Sequence, residues 1–134
     1  MQKPVRLYEV LYVSTLAPDA PLSVVASIAG ASRSRNQARD LTGILIFDGM
    51  RFCQQLEGDQ KELMALVERI REDSRHTSVA ILHHGPIEAR RFKNFSLAYA
   101  PIDDADPLDA LERLDGEPAV AAFLELVESL DAHD

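Results

Sequence analysis

The sequence has no tryptophan and a single cysteine, Cys53, and aromatic residues make up only 6% of it. One cysteine excludes an internal disulfide and any cysteine-based zinc cluster. Nowhere do eighteen apolar residues run together, so no transmembrane helix is available. The opening residues Met1-Gln2-Lys3-Pro4-Val5-Arg6 lead straight into a strand-like segment, with no apolar stretch ending at a small-residue cleavage site. No signal peptide is therefore read, and a cytoplasmic location is expected. Repeats, low-complexity tracts, glycine-rich phosphate loops, nucleophile elbows and His–Glu metal motifs are all missing. What is there is 134 residues, 46% of them hydrophobic, which is one ordinary domain's worth of core. A multidomain enzyme and a disordered chain are both ruled out.

Charge is unevenly spread. The chain carries −8 overall, made of +2 over residues 1–102 and −10 over residues 103–134, where Arg113 is the only lysine or arginine. A near-neutral body with an acidic tail argues against nucleic acid or an anionic membrane as partner.

Periodicity divides the body into alternating elements. Leu7–Ser14 is aromatic and β-branched, a strand. Leu22 to about Arg35 reads as a helix, with Pro21 in its first turn and Val24, Val25, Ile28 and Ala31 on one face. Leu41–Phe47 is a continuous apolar run, the mark of a strand buried on both faces. Asp48-Gly49 predicts a two-residue hairpin turn into Met50–Leu56. Asp59 predicts a helix N-cap with Glu62 as capping-box partner, and Leu63, Leu66, Val67 and Ile70 form the apolar stripe that follows. Val79–His83 is a fourth strand and Phe95–Ala100 a fifth. The expected fold class is α+β: a ferredoxin-like βαββαβ sandwich with an added fifth strand. Both strand faces are apolar, so the second face needs a cover. Two short C-terminal helices, spacing Leu108, Leu111 and Leu114, then Val120, Phe123, Leu124, Val127 and Leu130, supply it. The division expected is residues 1–102 as the ligand-binding domain and 103–134 as a helical cap.

Two residues are odd for a bland core. Gln54 shares parity with Phe52 and Leu56, so it points with core residues. A buried amide must satisfy two donors and an acceptor or cost about 1–3 kcal/mol. Tyr12 sits among apolar residues on the first strand, which this topology places beside the hairpin strand. The two either bond each other as a core pair or face a ligand held between the helices. His83 and His84 alternate on a strand and cannot share one metal. Arg33, Arg35 and Arg39 lie at and after a helix C-terminus, where a cation is favoured, either as a solvated basic face or around a phosphate. Cys53 has no neighbouring base in sequence and reads as an inert packed thiol.

The segments Leu7-Tyr8-Glu9-Val10-Leu11-Tyr12-Val13-Ser14, Ser32-Arg33-Ser34-Arg35-Asn36, Leu41-Thr42-Gly43-Ile44-Leu45, Gln54-Gln55-Leu56-Glu57-Gly58, Asp73-Ser74-Arg75-His76 and Arg90-Arg91-Phe92 together resemble a BLUF domain, a flavin-based blue-light sensor. The likeness covers about residues 5–101, and the tail resembles that of the short, single-domain members. It implies a non-covalent FAD between the two helices, with FMN or riboflavin as substitutes. By this resemblance Tyr12 matches the photoactive tyrosine and Gln54 the switching glutamine. Asn36 matches the flavin-binding asparagine, Ile28 and Ile70 the aliphatic pair around the ring, and Arg75 and His76 the contacting pair after the second helix. Arg35 stands where the family often has Asn or His, Phe95 where Trp is common, and Leu97 where Met is common. The last two departures, Phe95 and Leu97, leave the primary photochemistry in place and bear on the signal route through the fifth strand.

The resemblance implies a photoreceptor and no enzyme. Light drives electron and proton transfer from Tyr12 to the flavin, and Gln54 rearranges its hydrogen bonds. The signal passes to a downstream protein, basic to suit the acidic tail, from what is expected to be a homo-oligomer. Two alternatives remain open: a small ferredoxin-like hydrolase of acylphosphatase type using Arg35 and Asn36, and a light-independent ligand-binding or interaction module.

Overall fold

The structure, a computed structural model, describes residues 7–92 and 97–131. The strands are β1 (Leu7–Leu16), β2 (Thr42–Phe47), β3 (Arg51–Asp59), β4 (His76–Pro86) and β5 (Ala98–Pro101). The helices are α1 (Val24–Ala38), α2 (Gln60–Glu72), α3 (Asp106–Glu112) and α4 (Gly116–Asp131). One five-stranded sheet runs β4-β1-β3-β2-β5, antiparallel throughout except for the β2–β5 pair. The first four strands give the ferredoxin-like order, and β5 extends it at the β2 edge. Phe95, the expected start of the fifth strand, lies outside the described residues.

Strand alternation sorts the core into two sides. Val10, Tyr12, Leu45, Phe52 and Leu56 pack with α1 and α2. Leu11, Val13, Ile44, Ile46 and Cys53 pack with Leu108, Leu111, Val120 and Phe123 of α3 and α4. All six residues of β2 are buried, as a continuous apolar run requires. Gly43 has a steric reason on this strand: a Cβ there would overlap the carbonyl oxygen of Gln55 on β3. Only glycine allows the two backbones to approach so closely.

Several local expectations shift. The β2–β3 turn slides by one residue. Asp48 N–H bonds Arg51 O at 3.1 Å, so Gly49 and Met50 are the two central residues, and Gly49 takes the positive φ (99°). Asp48 holds the turn from outside, its Oδ1 accepting from Met50 N and Arg51 N. Helix α1 begins at Val24, after a turn through Pro21-Leu22-Ser23, and continues past Arg35 to Ala38. Its buried face is Val25, Ile28, Ala29 and Asn36, and Ala31 is exposed. Arg33 thus lies inside the helix, where its Nε donates to Leu97 O at 3.1 Å. Asp59 caps α2 through Lys61 N and Glu62 N. Glu62 does not close a capping box; it pairs with Arg39 at 2.9 Å. Helix α3 ends at Glu112, which leaves Leu114 exposed rather than packed.

Candidate functional site

The pairing of β1 with β3 sets Tyr12 directly opposite Gln54, both with side chains toward α1 and α2. The Tyr12 hydroxyl donates to Gln54 Oε1 at 2.5 Å, and both residues are buried. Burial pushes the Tyr12 hydroxyl well above its ordinary pKa, with Cys53 and Asp73 adding to the rise and Arg35 opposing it. The phenol is therefore neutral and keeps its proton to donate. With the hydroxyl donating to Oε1, the NH2 end of the amide is directed away from Tyr12.

Around this pair a cavity opens between the helices, lined by Tyr12, Ile28, Ser32, Arg35, Asn36, Leu45, Gln54, Leu66, Ile70, Asp73, Arg75 and His76. Every site residue singled out from the sequence, Tyr12, Ile28, Arg35, Asn36, Gln54, Ile70, Arg75 and His76, lies on this one wall. Helix periodicity explains the α1 contribution, since Ile28, Ser32, Arg35 and Asn36 fall on one face. Leu66 and Ile70 come from the corresponding face of α2, one turn apart.

The α2–β4 junction is held by its own polar links. Asp73 takes the Arg75 guanidinium at 2.7 Å and accepts from Arg75 N, which holds its carboxyl down at about 2. Arg75 is therefore a fixed cation at the rim. His76 Nδ1 lies 2.9 Å from Ser14 Oγ, and its ring packs on Phe52 with centroids 4.8 Å apart. Burial lowers the His76 pKa, Asp73 opposes that and Arg75 adds to it.

Sequence reasoning missed Ser32, Leu45, Leu66 and Asp73 as lining residues. Ser32 could have been found as the position one turn between Ile28 and Asn36, and Leu66 as the one a turn before Ile70. Leu45 needed the β2–β3 register, which places it beside Gln54. His83 and His84 point to opposite faces as their alternation requires, His83 to Glu9 and His84 to Tyr8. Among the described residues no group of His, Cys, Asp or Glu could hold a metal ion. No helix there is long and apolar enough to cross a membrane.

The lining has the chemistry of a site for a flat aromatic ligand. Aliphatic Ile28, Leu66 and Ile70 suit ring faces, while Tyr12, Gln54, Asn36, Arg35 and His76 offer donors and acceptors to a polar edge. Fold and pocket together define an α+β domain with a mixed apolar and polar cavity between two helices on one sheet face. The BLUF family, described as sensors of blue light using FAD, matches residues 7–98, and the chain belongs to it.

Among proteins of known function, the blue light- and temperature-regulated antirepressor BluF of Escherichia coli is 33% identical over 86 residues, 64% of this chain and 21% of that protein. The photoactivated adenylate cyclase subunit alpha of Euglena gracilis is 32% identical over 85 residues, 63% of this chain and 8% of that protein. The chain thus spans about a fifth or less of the length of these relatives. Among solved structures, the dark state of the BLUF protein BlrB superposes with a TM-score of 0.78 at 30% identity, covering 93% of this chain and 97% of that one. Klebsiella pneumoniae BlrP1, solved with FMN and cyclic diGMP, superposes at 0.67 with 32% identity over 71% of this chain and 26% of that one. The five-stranded sheet with helices packed on it is the architecture these structures share.

Proposed function

We propose that this chain senses blue light through FAD held non-covalently between α1 and α2, with Tyr12 and Gln54 as its photoactive pair. The observation that carries the proposal is the buried 2.5 Å bond from Tyr12 to Gln54 Oε1 at the cavity wall. Flavin, when bound, supplies the absorption of blue light and a strong photo-oxidant. Tyr12, a buried hydroxyl that keeps its proton, would be the residue to supply an electron and that proton to the photo-oxidant and to recover both. While Tyr12 is changed, its donation to Gln54 Oε1 is broken. Gln54 is then released to turn over or change tautomer. An amide has donors at one end and an acceptor at the other, so turning it reverses the hydrogen-bond pattern offered to the cavity. A donor presented to a ring carbonyl shifts absorption to the red.

Ile28 and Ile70 would hold the ring between the helices, and Asn36 would meet its polar edge. Arg35, Arg75 and His76 stand at the cavity wall as further contacts. The lining serves the ring system, so FMN or riboflavin should also bind, and BlrP1 solved with FMN agrees with this. No substrate is turned over, and the output is a shift of populations. In this proposal residues 1–102 form the flavin-binding unit and residues 103–134 its cap and output extension, in a homo-oligomer that signals to a basic partner protein. The hydrolase alternative is not favoured: Arg35 and Asn36 lie in the same cavity as the Tyr12–Gln54 pair, not at a separate anion site.

The test is direct. Purified protein should be yellow, and its flavin bands should move reversibly to the red under blue light. A colourless protein that takes up no FAD, or a flavin spectrum blind to blue light, refutes the proposal.

A further inference from the structure

Behind Gln54, on the other face of β3, lies a buried polar cluster that the light chemistry does not use. Glu9 on β1 and Glu57 on β3 are register partners, exposed by only 3% and 0%. Two carboxylates placed opposite each other in a sheet repel, so something must offset them. Glu57 accepts from the backbone N–H of Arg91 at 2.9 Å and of Phe92 at 3.0 Å. Glu9 pairs with the Arg91 guanidinium and, through Oε2, with His83 Nε2 at 3.1 Å. Arg90 adds bonds to Thr42 Oγ1 and Glu57 O. The segment 90–92 is thereby fastened onto the back of the sheet.

Gln55 is the link between this cluster and the switch. It follows Gln54 on β3 and so points to the opposite face. Its Nε2 donates at 2.6 Å to Glu9 Oε1, the same oxygen that receives Arg91. Its own Oε1 is buried without a hydrogen-bond partner among the described residues. Gln55 is thus tethered by its amide nitrogen alone. Unlike Gln54 it cannot turn over, because that would aim its oxygen at the Glu9 carboxylate. Beyond Arg91, the Phe92 ring packs in the same cluster as Leu108, Leu111 and Phe123 of the tail helices.

We propose that Gln55 and Glu9 are positioning residues that carry the rearrangement at Gln54 through the sheet to Arg91–Phe92, and so to the helices covering its back face. The proposal rests on Gln54 being the light switch. Neighbouring side chains share one peptide plane, so a shift of β3 against β1 at Gln54 changes the Gln55–Glu9 bond. Glu9 Oε1 serves both Gln55 and Arg91, so any change in one contact alters the other. The route needs no large motion, since each link is a direct hydrogen bond or a packed contact.

The experiment compares the FAD-loaded full chain with Gln55→Leu and Glu9→Gln. Flavin absorption under blue light is read first, then hydrogen exchange in light and in dark. Both variants should form the red-shifted state as the wild type does, because neither residue lines the cavity. In the wild type, light should change protection at residues 90–92 and 108–111. In both variants that difference should be lost, while dark-state protection of β1 and β3 persists. A purely structural role would lower protection in light and dark alike. Should Gln55→Leu fail to fold, Gln55→Met, closer in volume, carries the same test. A wild type with no red shift sinks the photosensor proposal itself. A red shift with the exchange difference absent from the wild type, or retained in full by the variants, overturns the relay.

Discussion

Tyr12 and Gln54 face each other across β1 and β3, and the hydroxyl of one donates to the amide oxygen of the other at 2.5 Å. With the hydroxyl as donor, the amide presents its oxygen to Tyr12 and its NH2 end elsewhere. Replacing Gln54 with Leu should leave the aliphatic wall intact and flavin bound, because Ile28, Leu66 and Ile70 are untouched. No red-shifted state should form, since an alkyl group has no donor to turn toward the ring. Difference absorption under blue light is the measurement, and a reversible red shift in Gln54→Leu would contradict the role given to the amide.

Strand β1 carries two tyrosines of the same parity, and their surroundings differ. Tyr8 is partly exposed, and its hydroxyl meets His84 Nδ1 at 2.5 Å, away from the cavity. Tyr12→Phe keeps the ring and removes the proton, so the photocycle should stop. Tyr8→Phe should cycle normally. The two variants compared by flash absorption settle which tyrosine is the donor.

Leu97 is buried in the cluster of Ile28, Leu45 and Phe52, and Arg33 holds its carbonyl. A branched alkyl group cannot accept even the weak hydrogen bond that a thioether offers. Leu97→Met should therefore slow dark recovery by giving the turned Gln54 a partner. Recovery followed at the red-shifted band checks this, and an unchanged or faster rate in the Met variant speaks against it.

The His76 pKa is lowered in the folded protein, chiefly by burial. The unfolded chain then binds the extra proton more readily, and stability falls as pH drops through the ordinary histidine value of about 6.5 toward the lower folded one. Asp73 acts further down: its carboxyl sits at about 2, so the stability it lends is present above about 4 and lost between there and 2. Thermal melts at pH 7.5 and 5.5 should show a fall in the wild type that is smaller in His76→Gln. Equal falls in both proteins would mean that another group titrates.

Cys53 is fully buried on the back face, and burial lifts its thiol well above the ordinary value. The thiolate is the reactive form, so the native protein should resist thiol reagents. Labelling should appear only in denaturant, at one thiol per chain. Fast labelling of the folded protein would show that α3 and α4 lift from the sheet.

Much of this was legible in sequence where one period ruled a segment. The alternation of β3 placed Gln54 and Gln55 on opposite faces, and the α2 stripe was buried as spaced. On α1 the expected face holds at Val25 and Ile28, with Val24 half-buried, and fails at Ala31, because Ala26, Ala29, Gly30, Ala31 and Ser32 are all small, so size does not say which of them turns inward. Packing against β2 selected Ala29 over Ala31. Glu62 illustrates another limit. A capping box is a local contact worth little, and a cation brought close by the fold, Arg39, displaced it. Leu45 joins the cavity wall only through its pairing with Gln54, which no local pattern carries.

β3 is the middle strand, and it is a single peptide thick. Its even-numbered residues Phe52, Gln54 and Leu56 answer to the cavity, and its odd-numbered Cys53, Gln55 and Glu57 answer to whatever lies behind. Two sets of requirements are thus written on alternate letters of one word. Substitution in one set need not disturb the other, provided the backbone between them stays straight. A designer wishing to change what covers the back face would rewrite Cys53 and the neighbouring Leu11 and Val13, and leave Gln55, Glu9 and the even letters alone.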